Sequence, residues 1–182
     1  MTKLNEKIVE EFCELCQWAY EAWITHKTLF DDNPKGEKLK DPFFASLSII
    51  TQEYSLQQFI KLHDPAIQNN YENLSFQFVI DNGEWKPETS NKLKYLFNKM
   101  ENLMGKSIKD ARNNVLSHND LKTILDGLIH GEFPPDADIE YVNLMKEFVN
   151  VIHNQYLGGG YAFNDLAKFD AQDLLGKFEL NK

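Results

Sequence analysis

Apolar residues recur along most of the chain at intervals of three and four, which is the period of an α-helix packed on one side. The clearest run lies between residues 88 and 117, where the spacings are 4, 3, 4, 4, 3 and 4. Gly105 weakens this run and is a position for a kink or a break. The apolar positions of the run are Leu93, Phe97, Met100, Met104, Ile108, Ala111 and Val115.

Capping and proline signals mark the ends of the first two helices. Thr2 can cap a helix that runs to about Phe30, and Asp41 followed by Pro42 is typical of an N-cap and the first helical position. The second helix ends before Asp64-Pro65, because proline disfavours helical geometry in the residue before it. The expected apolar positions of the second helix are Phe44, Leu47, Ile50 or Thr51, Tyr54 and Phe59.

Three further helices are predicted over residues 73–80, 120–130 and 138–156, the last of them capped by Asp138 and ended by the glycines at 158–160. No repeat and no convincing hairpin is found. The predicted fold class is therefore all-α, a compact bundle of about five to six helices. We expect a helical domain over 1–157 and a C-terminal tail over 158–182 that packs on the same domain.

Length and composition exclude several classes of protein. The 182 residues have no apolar run near the ~20 that a membrane span needs, and acids occupy the N-terminal stretch where a secretory signal would be apolar. Cys13 and Cys16 are expected to be reduced thiols on one helix, since a disulfide over this spacing is strained and two further zinc ligands are missing. We expect a cytoplasmic protein without a membrane partner.

Positive charge is concentrated in residues 86–122, which carry a net +4 in a chain of net −9. A chain this acidic is not a general nucleic-acid coat protein, but the segment could guide a polyanion locally. The alternative is an ordinary solvated helix face. The candidate RNA-binding residues follow one row of the helix: Lys92, Lys99, Lys106 and Lys109.

The row ends in the only arginine of the chain, Arg112, which is followed by the polar Asn113 and, six residues after the arginine, by His118. Arginine holds a phosphate by a planar fork, and histidine moves protons near neutral pH. Together they could support attack of an RNA 2′-hydroxyl on its own phosphodiester, a scheme that requires no metal or other cofactor.

Helix geometry opposes a site built from one copy of this motif, because six residues turn two side chains about 120° apart. The helix is therefore irregular near Ser117, or two copies share the site. The ordinary alternative is a surface arginine and a histidine near a helix C-terminus. A metal site from Asp126, His130 and His153 is a remote option, since nothing in the sequence shows that they converge.

The segment RNNVLSH resembles the signature of the HEPN superfamily, an arginine with a polar neighbour followed by a histidine. More narrowly, the chain is similar to the abortive-infection U-type branch of that superfamily. The residues that carry this likeness are LHDPA at 62–66, ENLSF at 72–76 and KDARNNVLSHND at 109–120. The resemblance covers most of residues 1–156.

This resemblance implies a HEPN-type helical homodimer in which two Arg–His motifs face each other across a cleft. The resemblance also implies that Arg112, Asn113 and His118 are the catalytic residues of an endoribonuclease. This enzyme is expected to leave 2′,3′-cyclic phosphate ends. The expected setting is a phage-defence or toxin–antitoxin system, with RNA, a second copy and a cognate antitoxin protein as partners. The alternative is a catalytically inactive helical dimer that binds RNA or a partner protein.

Overall fold

The computed structural model describes residues 2–33, 41–111 and 133–180, and these ranges are mostly helical. The all-α fold class predicted from the sequence is confirmed. The helix predicted over 120–130 lies outside the described residues. Those ranges contain α1 (Glu6–His26), α2 (Pro42–Leu62), β1 (Ile67–Gln68), β2 (Tyr71–Glu72), α3 (Phe76–Asn82), α4 (Pro87–Ala111), α5 (Ala137–Tyr156) and α6 (Leu166–Leu180).

The first helix begins after Asn5 and not after Thr2, so the predicted cap is wrong. The side chain of Asn5 accepts a hydrogen bond from the backbone N–H of Ile8 at 3.1 Å, which satisfies one of the free donors of the first turn. Thr2 instead donates its backbone N–H to the Glu72 carboxylate at 2.9 Å. The first residues of the chain are thereby tied to β2.

The buried face of α1 includes Cys13 and Cys16, which are free thiols as predicted. Burial raises the pKa of Cys13 to about 12 and that of Cys16 well above its usual value. After His26 the helix widens into one π-helical turn, Lys27–Asp31. Such turns are rare and often lie at functional positions.

The second helix has the predicted bounds. Its N-cap is Asp41, whose carboxylate accepts from the backbone N–H of Phe43 at 2.8 Å, and Pro42 follows in the first turn. The expectation of Tyr54 on the apolar face is wrong, since it is 52% exposed; of the alternatives Ile50 and Thr51, Ile50 is 61% exposed and Thr51 is half-buried. The buried residues all lie in the C-terminal half of α2: Ser55, Leu56, Phe59, Ile60 and Leu62.

A short hairpin of two-residue strands connects α2 to α3, where no hairpin is predicted from the sequence. Ile67 pairs with Glu72 and Gln68 with Tyr71, and the turn between them is Asn69-Asn70. Both asparagines have positive φ, 51° and 68°, a conformation that asparagine tolerates better than most residues. The strands are short and exposed, so they lack the alternation that predicts a strand.

The fifth helix begins at Ala137, and Asp138 is not its cap. Asp136 holds the N-cap position with a φ of 61° and without a side-chain cap. The Asp138 carboxylate instead accepts hydrogen bonds from Trp23 Nε1 at 2.9 Å and Lys27 Nζ at 3.2 Å. The ion pair with Asp138 offsets the free-energy cost of removing the half-buried Lys27 ammonium group from water. It links the end of α1 to the start of α5.

The core lies where α1 packs against both α2 and α5, and α5 packs in turn against α4. The rings of Phe12, Phe76 and Phe148 meet edge to face at its centre, with Phe76 5.5 Å from Phe12 and 4.9 Å from Phe148. Within the described ranges, no helix combines the length and the apolar character needed to cross a membrane.

The tail follows Gly158 and Gly159, which end α5 with φ values of 72° and 94°. It includes α6, which contacts α1. Gln17 and Asn164 exchange two hydrogen bonds of 3.2 Å, from the Gln17 amide to the Asn164 carbonyl and from the Asn164 N–H to Gln17 Oε1. The division into a domain over 1–157 and a tail over 158–182 stays a prediction.

Candidate functional site

The helix α4 carries the candidate RNA-binding row, and its described part reaches Ala111, the residue before Arg112. It begins at Pro87, and its inner face buries residues spaced by three and four along its length. The helix runs through Gly105 without a break. The buried residues of this face are Leu93, Leu96, Met100, Met104 and Ile108.

Lys92 and Lys99 lie on the outer face of α4 and are exposed, but they differ in their surroundings. Lys92 Nζ lies 2.8 Å from Glu147 Oε1 on α5, so its charge is matched within the molecule. Lys99 Nζ lies 5.2 Å from the centre of the Tyr95 ring, and its hydrogen bond to Tyr95 raises the pKa of the ammonium group. Lys99 therefore keeps a full positive charge at the surface.

The rest of the candidate set lies outside the described part of the structure. Arg112, Asn113 and His118 belong to residues 112–132, and the side chains of Lys106 and Lys109 are also not described. Their assignment remains a prediction from the sequence. What the structure adds is the helix that leads to them, because α4 is continuous up to Ala111.

A buried histidine, His63, fixes α4 to its neighbours. His63 follows the end of α2, with Nδ1 2.6 Å from Glu101 Oε1 on α4 and Nε2 2.8 Å from Tyr141 Oη on α5. Its ring stacks on Phe97 with centres 5.4 Å apart. The signal in the sequence was Glu101 itself, an acid one turn after Phe97 on the apolar stripe.

The direction of the hydrogen bond between Tyr141 and His63 follows from the environment of Tyr141. Burial raises the pKa of this phenol, so its hydroxyl stays protonated and can donate to His63 Nε2. On the other side of the ring, Nδ1 lies within ion-pair distance of Glu101. This arrangement joins α2, α4 and α5 at one point, and it sets the position of the helix that leads to Arg112.

The two other segments that carry the HEPN resemblance are also structural. Asn73 donates its side-chain amide to the carbonyl of Pro65 at 2.8 Å and its backbone N–H to the carbonyl of Ala66 at 2.9 Å. Ser75 caps α3 by accepting from the backbone N–H of Phe78 at 3.3 Å. These residues hold the turn after α2 and do not form a reactive site.

A pocket of about 370 Å³ lies between the end of α1, α2 and the start of α5. Its charged groups are largely matched, since Lys27 Nζ lies 3.2 Å from Asp138 and 3.8 Å from Asp32. Burial lowers the pKa of His26, which also lines it, so the neutral imidazole is favoured. The pocket therefore offers no free cluster of cations for a phosphate.

The described residues contain no group of three His, Cys, Asp or Glu side chains that could hold a metal ion. Of the three residues considered for such a site, Asp126 and His130 lie outside the described ranges. His153 Nδ1 lies 2.8 Å from the Gly159 carbonyl and helps to hold the turn after α5. The metal site weighed from the sequence gains no support.

The fold and its arrangement of helices define a small all-α protein. A family model described as AbiU2, of the HEPN group, matches residues 3–175, and the chain belongs to this family. The match includes the tail as far as α6, beyond the part that the sequence comparison by motif had covered. It connects the chain with abortive infection. The searches of curated proteins and of solved structures gave no match.

Proposed function

We propose that the chain is a metal-independent endoribonuclease of a phage-defence or toxin–antitoxin system, with an active site composed across a homodimer. The observation that carries the proposal is the motif from Arg112 to His118 in a chain of the AbiU2 family of HEPN proteins. The helix that leads to the motif is anchored through Glu101 to the buried His63. An anchored helix supports a site that needs fixed geometry.

In the proposed reaction the 2′-hydroxyl of the RNA attacks the adjacent phosphorus. The bond between phosphorus and the 5′-oxygen breaks, and a 2′,3′-cyclic phosphate and a 5′-hydroxyl result. His118 takes the proton from the 2′-hydroxyl or gives one to the departing 5′-oxygen. The guanidinium group of Arg112 stabilises the charge on the non-bridging oxygens, and Asn113 adds an amide beside it.

A second copy is part of the proposal because one regular helix cannot direct both groups to one phosphate. Over six residues an ideal helix advances about 9 Å and turns the second side chain about 120° from the first. A two-fold axis can bring the arginine of one copy toward the histidine of the other. A homodimer is therefore part of the proposal, and a cognate antitoxin is the further partner that such a system would use.

The RNA is proposed to follow the outer face of α4. Lys99 is exposed there and fully charged, and the positions of Lys106 and Lys109 continue the row toward Arg112. Lys92 contributes less, since Glu147 already matches its charge. The rest of the chain carries about −13, so an RNA is repelled elsewhere and held at this face.

The test is cleavage of a mixed RNA pool by the wild type and by His118→Ala. We expect wild-type cleavage that is unchanged in EDTA and leaves 2′,3′-cyclic phosphate ends. We expect His118→Ala to lose cleavage and keep its thermal unfolding midpoint, with His153→Ala as a matched control that still cleaves. Full activity of His118→Ala, or loss of wild-type activity in EDTA, would contradict this mechanism. A wild type that binds RNA without cleaving it would favour the inactive binding dimer.

A further inference from the structure

The N-terminal half of α2 has an apolar face that is turned away from the core. Phe43, Ile50 and Tyr54 are 65%, 61% and 52% exposed, and their spacings of seven and four place them on one side of the helix. We call these three residues the α2 stripe. Single exposed apolar residues are ordinary, but a row of large ones on one helix is typical of a contact surface.

A groove lies beside the α2 stripe and extends the apolar surface. It has a volume of about 560 Å³ and is bordered by Ile50 and Tyr54 of α2, Trp18 of α1 and Ala167 of α6, with Glu21 of α1 as its one charged lining residue in the described chain. Trp18 is 56% exposed although indole rings carry a large apolar surface. The surface therefore has both protruding side chains and a depression, which allows two copies to fit into each other.

The charge of this face favours a second copy over a charged partner. The 21 residues of α2 include only two charged side chains, Glu53 and Lys61. The whole chain carries −9, so two copies repel each other at most orientations. Two copies can approach each other through α2 with less repulsion, because this helix is nearly neutral.

The size of the face is also suited to a stable dimer. The α2 stripe with Trp18 exposes roughly 450 Å² of side-chain surface, on the scale of 150–250 Å² for a whole aromatic side chain. A standard interface buries about 800 Å² of each partner. The apolar residues alone thus supply most of the area, and the polar side chains of the groove add to it.

The N-terminal half of α2 lies at the end of the bundle toward which α4 runs. Ser48 and Gln52 of α2 border a pocket with Asp136 and Asp138 at the start of α5. Since α4 is antiparallel to α5, with Lys92 beside Glu147, the C-terminal end of α4 points toward that same end. A contact through α2 therefore joins two copies on the end of the molecule where α4 reaches Ala111.

We propose that the α2 stripe and the adjoining groove form the two-fold interface between two copies of this chain. The inference rests on the proposed function, because a site shared between copies needs a homodimer. The new element of the inference is the location of the contact between the two copies. In an isologous contact each copy offers the same residues, so one substitution changes the interface twice.

The first test is sedimentation velocity at micromolar concentration. We expect the wild type to sediment as twice the 21.2 kDa chain mass and Tyr54→Glu as the single chain. Tyr71→Glu on the hairpin is the matched control, since Tyr71 is even more exposed, at 76%, and we expect it to remain dimeric. Circular dichroism of each variant shows that its helices are intact.

The second test uses Ile50→Cys, a milder change, and the rate of thiol labelling. The native thiols do not compete, because burial raises the pKa of Cys13 and of Cys16. We expect the new thiol to be labelled at least tenfold more slowly at micromolar than at nanomolar concentration. Ile67→Cys on the exposed hairpin is the control and should be labelled equally fast at both.

The outcomes separate this inference from the proposed function. A wild-type dimer that survives Tyr54→Glu, with Ile50→Cys labelled at one rate throughout, contradicts the interface and leaves the ribonuclease proposal in place. A wild type that is only a single chain at micromolar concentration contradicts both the interface and the shared site. Loss of the dimer in Tyr54→Glu with concentration-dependent protection of Ile50→Cys supports the interface.

Discussion

At the scale of single residues, Arg112 differs from the lysines around it in the shape of its charge and not in its sign. The chain uses lysine at every other cationic position of the basic segment, so selection for charge alone would be met by lysine there too. A guanidinium group presents a planar fork to a phosphate, whereas an ammonium group is a compact point charge. The two roles can therefore be separated by one substitution.

We expect Arg112→Lys to keep RNA affinity within a few-fold and to lose cleavage by roughly a hundredfold, which corresponds to about 2.7 kcal/mol of transition-state stabilisation. The measurement is single-turnover cleavage of a mixed RNA pool beside filter binding of the same pool. Lys99→Arg is the matched control and should change neither quantity by more than a few-fold. Equal losses of binding and cleavage would reduce Arg112 to an electrostatic contact.

Single residues also show how far the sequence predicts the site. Reactive side chains with a rare type or spacing, such as Arg112 and His118, stand out in a sequence without any structure. The partner of a buried polar group does not, because Glu101 is 38 residues from His63 and no local rule pairs them. The structure supplies that pairing, while the geometry of the catalytic set remains a prediction.

At the scale of the elements, α4 is the one on which the proposed RNA contact depends. We expect the double variant Lys99→Glu and Lys106→Glu to bind single-stranded RNA more weakly. Its slope of log K against log salt should be smaller by about 1.4, since each lost phosphate contact removes about 0.7. The measurement is filter binding at several salt concentrations.

The control for this experiment is the double variant Lys7→Glu and Lys61→Glu, which changes the net charge by the same amount at two exposed positions on α1 and α2. We expect the control to keep the wild-type slope, with affinity reduced only slightly by the more negative chain. If both double variants lose affinity equally with unchanged slopes, the RNA does not follow α4.

The sequence predicts a helix boundary well where a local signal such as a cap sets it. It predicts the exposure of a side chain less well, because exposure depends on how the helices pack. Asp41 and Pro42 mark the start of α2 because the cap and the first turn are local. The exposure of Ile50 and Tyr54 depends on where α1 lies, which the spacing along one helix cannot show. The residue Asp138 was expected to cap α5 and instead pairs with Lys27 from a helix distant in sequence.

At the scale of the whole molecule, charge and apolar surface are separated. Lys92 and Lys99 lie on the outer face of α4, whereas the apolar α2 stripe belongs to a helix whose only charged residues are Glu53 and Lys61. An RNA contact and a dimer contact can thus coexist without competing for the same surface. A dimer built in this way doubles the cationic row, which raises the local attraction for a polyanion.

The shared site is tested most directly by combining two inactive variants in one dimer. Arg112→Ala and His118→Ala are co-expressed with different affinity tags, and the mixed dimer is isolated by both tags. In the mixed dimer one site has the intact arginine of the His118→Ala copy and the intact histidine of the Arg112→Ala copy. We expect each pure variant to be inactive and the mixed dimer to cleave RNA at up to half the wild-type rate, in EDTA as well as in its absence. A mixed dimer as inactive as its parents, beside an active wild type, would contradict a site composed across two copies.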